Sequence, residues 1–192
     1  MLKLPKIVKK NELQRMFNRI NTKTPSGLRN MVALQLMYRA GLRNSEVCNL
    51  SPADIDMDKG LIYIQQSKGR KDRYAIMDDI LKGWCMKWDK VRPQCDYYVC
   101  TMKGTKLSDR YLREICYRLS KKAGVYINDN HRLRKVFPHA LRHTFATELL
   151  ASKDFNIREV QTLLGHSNVN TTMIYTHVVM DDLLVEKIKN RR

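Results

Sequence analysis

The sequence has no run of apolar residues near the ~20 that a membrane-spanning helix requires. Its opening stretch, Met1 to Lys6, also lacks the apolar core of a signal peptide, so neither a membrane anchor nor a secretion signal is predicted. The five cysteines are odd in number and form no Cys-x-x-Cys pair, which argues against a disulfide framework and a zinc site and indicates a reducing cytoplasm. Neither a P-loop motif nor a cluster of carboxylates occurs, so no metal and no cofactor are expected.

Acidic side chains are also scarce, because 36 lysines and arginines stand against 19 aspartates and glutamates. The resulting net charge is +17, and the isoelectric point is near 9.8. A compact domain with this excess repels itself unless a polyanion neutralises it, which predicts nucleic acid as the partner, with an anionic membrane surface as the second alternative. With 192 residues, 43% of them hydrophobic, the chain is long enough for one domain or two small ones with a sizeable core.

Helical periodicity dominates the chain and is interrupted by one short stretch of strand formers, which predicts a mainly α fold with a small antiparallel β-sheet. Lys68 is expected at the tip of the second hairpin of this sheet, and 128–134 is expected to be a polar, basic loop. Strands are predicted to start near Ile55 and to lie at 61–64, 73–76 and, as a strand or edge segment, 97–100. The predicted helices lie at about 10–20, 26–40, just after Asn44, 78–91, 108–123, 139–151, 157–164, 168–177 and 181–189.

Two basic residues lie at turns from which a charged side chain can reach a phosphate. Arg43 follows the helix stop at Gly41 within Gly-Leu-Arg-Asn-Ser-Glu (41–46), and its guanidinium matches two phosphate oxygens. Glu46 is interpreted as a brace for this corner. Lys68 lies where neighbouring cations could lower its pKa enough for it to give a proton to a leaving oxygen. Either cation could instead be an ordinary solvated surface residue.

The segment Pro-His-Ala-Leu-Arg-His (138–143) brings three basic side chains to one face of a predicted helix start. Since a helix N-terminus attracts anions, His139 and Arg142 suit a phosphate there. Two alternatives stay open for the histidines. His139 and His143 have the i, i+4 spacing of zinc ligands, although Ala140 stands where the metalloprotease pattern needs glutamate. Otherwise His143 is a buried, hydrogen-bonded histidine.

The segment Leu-Leu-Gly-His-Ser (163–167) is a tight corner between two predicted helices, in which Gly165 ends the first helix and His166 is fixed in the turn. A helix-turn-helix repressor would use such a turn as well. Tyr175 lies on the next helix, nine residues after His166. Taken alone, a tyrosine between isoleucine and threonine is more often half-buried packing than a nucleophile.

In this order the segments resemble the tyrosine recombinases, also called the phage-integrase family, and are Xer/integrase-like over nearly the whole chain. The specific signatures are Gly-Leu-Arg-x-Ser-Glu, Pro-His-x-Leu-Arg-His and Leu-Leu-Gly-His-Ser followed by Tyr175. The resemblance implies the catalytic-core fold of that family over 1–192. It also implies a site-specific DNA recombinase that cuts and religates DNA through a 3′-phosphotyrosine, as in integration, excision or inversion.

The resemblance implies a role for each catalytic residue. Arg43 and Arg142 would hold the non-bridging phosphate oxygens, and His166 would donate a hydrogen bond to the phosphate. His139 is the expected base for the nucleophile and Lys68 the expected acid for the 5′-oxygen, an assignment that these two residues could exchange. The expected contacts to the DNA backbone are Arg70, Lys71, Arg73, Arg132, Arg134 and Lys135.

The resemblance also implies the partners. Double-stranded DNA is expected as the substrate, with four protomers assembled on two duplexes and a monomer in the free state. Many family members carry an N-terminal core-binding domain that is absent here, so we expect a piece of a longer protein or a natural core-only member that binds DNA weakly by itself. Residues 181–189 are a candidate for docking onto a neighbouring protomer. The expected location is the cytoplasm, in association with the nucleoid.

Other functions share parts of this pattern. A non-catalytic DNA-binding regulator would keep the fold, but the complete set of catalytic residue types disfavours it. A type IB topoisomerase-like enzyme would share the chemistry and relax DNA, but the Leu-Leu-Gly-His signature disfavours it. An RNA-binding basic protein would explain the charge and none of the motifs. The target sequence and the choice among integration, excision, inversion and dimer resolution do not follow from the sequence.

Overall fold

The computed structural model of the chain describes residues 6–65, 72–129, 132–166 and 171–176. Most of these residues are helical, and the strands form two small antiparallel sheets, as predicted. The helices are α1 Lys10–Phe17, α2 Pro25–Arg39, α3 Asn44–Asn49, α4 Asp79–Asp89, α5 Asp109–Ala123, α6 Pro138–Ser152 and α7 Ile157–Leu164. The strands are β1 Ile55–Asp56, β2 Leu61–Ile64, β3 Arg73–Ile76, β4 Tyr126–Asp129 and β5 Arg132–Lys135.

Helix α2 is the centre of the fold because most of its side chains are buried, against α4 and α6 in particular. Even the polar Arg29 and Gln35 of this helix are buried. The start of the helix differs slightly from the prediction. Thr24 caps it by accepting a hydrogen bond from the backbone N–H of Gly27, so the helix begins at Pro25 rather than at position 26.

The sheet β1–β2–β3 lies where the strand formers predicted it. Its second hairpin pairs Ile62 with Ala75 and Ile64 with Arg73, so these four side chains share the buried face. The predicted tip of this hairpin, which carries Lys68, lies outside the described residues.

The predicted basic loop at 128–134 is wrong, because a second hairpin, β4–β5, occupies this stretch. Ile127 is buried opposite the exposed Arg134, but the whole of β5 faces solvent. A strand that buries neither face shows no apolar–polar alternation, and this explains why the periodicity missed it. The hairpin packs against α5, whose predicted cap at Ser108 and stop at Gly124 are both confirmed.

Helices α6 and α7 pack against each other and enclose a second, smaller core. This core contains the buried residues Ala146, Val160, Leu164 and Tyr175. Tyr175 belongs to a helical segment at 171–176, which covers part of the predicted helix at 168–177. The predicted helix at 181–189 lies outside the described residues. Among the described helices, none has the length and apolar character needed to cross a membrane.

Candidate active site

The corner between α2 and α3 holds Arg43. Gly41 ends the α2 region with a φ of 65°, and a Cβ added there would lie 2.6 Å from the ring of Phe145. Arg43 follows as the N-cap of α3, and the Glu46 carboxylate accepts hydrogen bonds from both its backbone N–H (2.7 Å) and its Nη1 (2.6 Å). The Arg43 side chain is 18% exposed, so a rigid corner presents one edge of its guanidinium to solvent.

Glu46 joins three arginines and is the brace that the sequence suggested. Besides Arg43, it accepts two hydrogen bonds from Arg73, at 2.9 and 2.8 Å, and lies 3.8 Å from Nη1 of Arg142. Burial alone would raise the pKa of Glu46. The hydrogen bonds and charge of Arg73, the backbone N–H of Arg43 and the charge of Arg142 outweigh burial and hold this pKa far below its usual range. Glu46 is therefore an anion that gathers guanidiniums.

The C-terminus of α7 holds the same arginines from the other side. The last carbonyls of a helix lack intrahelical partners and carry partial negative charge. Arg73 donates from Nε to the carbonyl of residue 163 at 2.9 Å, Arg142 donates from Nη2 to that of 164, and Arg43 donates from Nη2 to that of 165 at 3.2 Å. Gly165 has a φ of 62°, and a Cβ there would lie 2.7 Å from Cδ of Arg73. The arginines are thus held in place by contacts within the protein.

Arg142 is almost fully enclosed, with 4% of its surface exposed. Its Nη1 donates to the carbonyl of Gly41, and its Nη2 also lies 3.2 Å from Nε2 of His166. Burial, and then the charge of Arg43, lower the pKa of Arg142 to about 9. The guanidinium therefore remains charged at neutral pH.

His166 is held between Arg142 and a threonine. Its Nε2 faces the Arg142 donor and its Nδ1 lies 2.9 Å from Oγ1 of Thr172. Burial, with the charges of Arg142 and Arg43, lowers the pKa of His166 to about 3, so the ring is neutral. Because Nε2 faces a donor, the proton lies on Nδ1 and is donated to Thr172. No sequence motif pointed to Thr172, which is fully buried.

His139 is exposed in the first turn of α6, directly after Pro138. Partial desolvation and the charges of Arg142 and Arg43 lower the pKa of His139. It lines a groove of about 590 Å³ beside the first turn of α6. The other lining residues are Asn44, Arg113, Tyr117, Leu133, Arg134, Lys135, Phe137 and Pro138.

Tyr175 lies beside His166 and the arginines and is only 1% exposed. Its ring is stacked on that of His166, with 6.4 Å between centroids and 12° between planes. Its hydroxyl lies 2.8 Å from Nδ1 of His143. Burial raises the pKa of Tyr175, while the charges of Arg142 and Arg43 oppose the increase. The phenol is therefore protonated at neutral pH and lies in the field of two guanidiniums.

The structure brings together most of the predicted catalytic residues: Arg43, His139, Arg142, His166 and Tyr175. Lys68, Arg70 and Lys71 lie outside the described residues. Arg132, Arg134 and Lys135 are exposed on β5. Within the described ranges, no three His, Cys, Asp or Glu side chains converge as a metal site would require, which gives the alternative of zinc at His139 and His143 no support.

Arg73 needs a correction, since the sequence assigned it to the DNA-binding surface. Its side chain is 4% exposed and is bonded to Glu46 and to the end of α7, so it has no free edge for a phosphate at the surface. The basic turn before it suggested a solvated strand end. The inward-facing strand position and the distant Glu46 decide otherwise, and neither can be read from local sequence.

Two guanidiniums, two imidazoles and a phenol lie close enough for the guanidiniums to shift the pKa of the other three groups, and such a set suits phosphate-ester chemistry. A model of the phage integrase family matches residues 6–181. The chain belongs to the phage integrase family.

Named relatives agree with this membership. The tyrosine recombinase XerC of Bacillus pumilus is 36% identical over 191 residues, a match that covers 94% of this chain and 60% of the relative. A crystal structure of XerA recombinase superposes with a TM-score of 0.81 at 28% identity, over 98% of this chain and 66% of that one. XerH bound to palindromic difH substrate, in a post-cleavage complex, superposes with a TM-score of 0.76 at 29% identity, over 94% of this chain and 52% of that one. The chain thus spans about 60% of the length of the curated relative.

Proposed function

We propose that this chain cleaves and rejoins duplex DNA at a specific site through a 3′-phosphotyrosine formed by Tyr175. The observation that carries the proposal is the fixed pair of guanidiniums, Arg43 and Arg142, beside the neutral His166 and the phenol. Family membership and the likeness to XerH on its difH substrate support DNA as the source of the phosphate.

The chemistry follows from charge. Attack by Tyr175 on phosphorus forms the O–P bond, breaks the bond to the 5′-oxygen and places negative charge on the non-bridging oxygens. Arg43 and Arg142 stabilise that charge, and their bonds to α7 and Glu46 mean that little reorganisation is needed during the reaction. The phosphotyrosine conserves the energy of the phosphodiester bond, so a second 5′-hydroxyl can reverse the step on a new strand.

The proton transfers need an acceptor near the phenol and a donor near the 5′-oxygen. We retain His139 as the base and Lys68 as the acid. A bound phosphate raises the pKa of neighbouring imidazoles, since an anion favours their charged form. His166 can donate to the phosphate only with a proton on Nε2, so this role requires that Nε2 exchange its contact with Arg142 for one with the phosphate.

The groove beside His139 suits the DNA strand on one side of the scissile phosphate. Arg113 from α5 and Arg134 and Lys135 from β5 line it, and Lys135 lies over the ring of Tyr117 at 6.0 Å. Positive side chains along a groove can neutralise the phosphates of a DNA backbone. We therefore retain Arg132, Arg134 and Lys135 as DNA contacts, together with Arg70 and Lys71, and exclude Arg73. Four protomers on two duplexes, working at the nucleoid, complete the proposal.

Covalent capture tests the proposed function without a known target. Duplexes with a nick one or two bases past the cleavage position, and with randomised flanks, lose a short fragment on cleavage and trap the enzyme on DNA. We expect wild type to select a sequence as a denaturant-resistant adduct, and Tyr175→Phe to give none. Tyr74→Phe, which changes an exposed tyrosine of β3, is the matched control and should behave as wild type. An adduct that survives in Tyr175→Phe, or no adduct with wild type from any library, contradicts the proposal.

The recovered sequence then separates the rival outputs. On supercoiled plasmids that carry two copies, exchange of partners supports recombination. Relaxation without exchange would indicate topoisomerase-like activity. Sequence-specific binding with no cleavage would leave a DNA-binding regulator.

A further inference from the structure

The His143 side chain shares a hydrogen bond with the proposed nucleophile, Tyr175, yet it has no part in the chemistry given under the proposed function. Its Nδ1 lies 2.8 Å from the Tyr175 hydroxyl, and the two rings lie 5.6 Å apart. The hydrogen bond is largely removed from solvent, since Tyr175 is 1% exposed and His143 is half-buried. A hydrogen bond shielded from water in this way contributes more than an exposed one, and either partner is costly to leave unpaired.

The direction of this hydrogen bond follows from chemistry. A phenol is a stronger donor than a neutral imidazole, and an imidazole nitrogen is a stronger acceptor than a phenol oxygen. The groups that face His143 keep it neutral, because burial and the charges of His139 and Arg142 lower its pKa to about 4. His166 lies across the Tyr175 ring and is neutral as well. Tyr175 therefore donates to an uncharged Nδ1, and the proton of His143 lies on Nε2.

We propose that His143 is a positioning residue that stabilises free Tyr175 relative to the phosphotyrosine, and so biases the cleavage equilibrium toward intact DNA. In cleavage, the Tyr175 oxygen loses its proton and forms a bond to phosphorus. The bond between phosphorus and the 5′-oxygen breaks, and the 5′-oxygen takes up a proton. The aryl phosphate has no hydroxyl, so the bond to His143 exists only in the uncleaved state. In the adduct, Nδ1 of His143 loses its donor inside the protein.

This inference rests on the proposed function and predicts an unusual sign. A substitution that removes the acceptor raises the energy of the uncleaved state and removes an unpaired group from the adduct. The equilibrium then shifts toward the covalent adduct whether or not the transition state retains the bond. A hydrogen bond of ordinary strength corresponds to a shift of about 10-fold in the adduct-to-intact ratio. Damage to the phosphate site would instead slow both directions and leave less adduct.

The test uses the whole chain and an intact, un-nicked duplex with the sequence recovered by covalent capture. His143→Leu removes the acceptor and keeps the bulk, whereas His143→Asn retains an acceptor near the position of Nδ1. We expect His143→Leu to raise the equilibrium adduct fraction about 10-fold over wild type, and His143→Asn to stay within about 2-fold. His143→Ala serves as a second acceptor-free variant in case the leucine variant does not fold.

Four results decide the matter. More adduct with both acceptor-free variants and wild-type behaviour of His143→Asn support the inference. Equal or lower adduct fractions in His143→Leu and His143→Ala, while wild type forms a Tyr175-dependent adduct, overturn it and leave the proposed function intact. An Asn variant that behaves like the Leu variant also overturns it, because the acceptor would not matter. No adduct with wild type overturns the proposed function itself.

In the free protein, ¹⁵N resonances of labelled histidines give a readout independent of DNA. We expect His143 to be a neutral Nε2–H tautomer whose Nδ1 resonance shifts in Tyr175→Phe. An unchanged Nδ1 resonance would show that the hydroxyl does not donate to His143, and this would overturn the inference whatever the DNA experiments give.

Discussion

Replacing Glu46 by glutamine should destabilise the protein far more than an ordinary loss of a salt bridge. Glu46 is 9% exposed and accepts four hydrogen bonds from Arg43 and Arg73, with Arg142 at 3.8 Å. Glutamine has nearly the same shape, but its NH₂ group would face guanidinium donors. Without the negative charge of Glu46, the repulsion among the three arginines would no longer be compensated. Breaking a buried ion pair from one side typically costs ~3–5 kcal/mol, a large part of the ~5–15 kcal/mol that stabilises a domain.

The chain offers a matched control for this prediction. Glu114 accepts a hydrogen bond from Arg110 on the exposed face of α5, where the two side chains are 58% and 85% exposed. Glu114→Gln should change the free energy of unfolding by less than about 1 kcal/mol. Urea unfolding of wild type and both variants at pH 7 measures the difference, and we expect Glu46→Gln alone to lose several kcal/mol. A loss below 1 kcal/mol, or equal losses in both variants, would refute the role of Glu46 as the anion that gathers the arginines.

The pH dependence of unfolding provides a second comparison of wild type with Glu46→Gln. The folded pKa of Glu46 lies far below its usual range, so the stabilisation by its charge is complete above the unfolded pKa, about 4.3, and is lost as the pH falls through the folded pKa. The difference between wild type and Glu46→Gln should therefore be constant near neutral pH and shrink below about pH 4. A difference that grows on acidification would contradict the sign of the shift.

Three further predictions concern catalysis, histidine titration and DNA binding. Arg142→Lys cannot make the same bonds to residues 41 and 164, and we expect a ~100- to 1000-fold lower cleavage rate on a nicked duplex, whereas Arg110→Lys, at an 85% exposed position of α5, should cleave normally. Because the folded pKa of His143 is lowered to about 4, its contribution to stability is present above pH 6.5 and is lost on acidification. Between pH 6 and 4, the unfolding free energy of wild type should therefore fall more steeply than that of His143→Asn, by up to ~1.4 kcal/mol per pH unit. Parallel curves for the two proteins would contradict this prediction. Lys135→Ala should reduce the slope of log K against log salt by about 1 for all duplex sequences, and an unchanged slope would remove it from the DNA surface.

The helical part of the fold was accessible from the sequence because its signals are local. The caps at Ser108 and Gly124, and the strands of the first sheet, follow from residue type and periodicity over a few neighbours. The hairpin β4–β5 was missed because it lacks such a local signal: β5 is exposed on both faces and therefore shows no apolar–polar alternation. The burial of α2 on all sides also depends on helices far away in the chain.

The candidate site was accessible to a different extent. Family-like segments named Arg43, His139, Arg142, His166 and Tyr175, because short motifs preserve the residue types that touch a phosphate. Partners contributed by other elements were not accessible, because their meaning depends on tertiary contacts. Arg73 resembles a surface cation in the sequence, and only the tertiary contacts with Glu46 and the end of α7 show that it is enclosed. Neither the hydrogen bond from His166 to Thr172 nor the one from Tyr175 to His143 has a local signature.

The identity of the nucleophile can be measured directly by mass spectrometry of the trapped adduct. After protease and nuclease digestion, a nucleotide attached through its 3′-phosphate should be found on the peptide that contains Tyr175, in the same amount as the adduct. The same peptide from Tyr175→Phe should carry none. A nucleotide on any other residue, or attached through a 5′-phosphate, would contradict the proposed reaction.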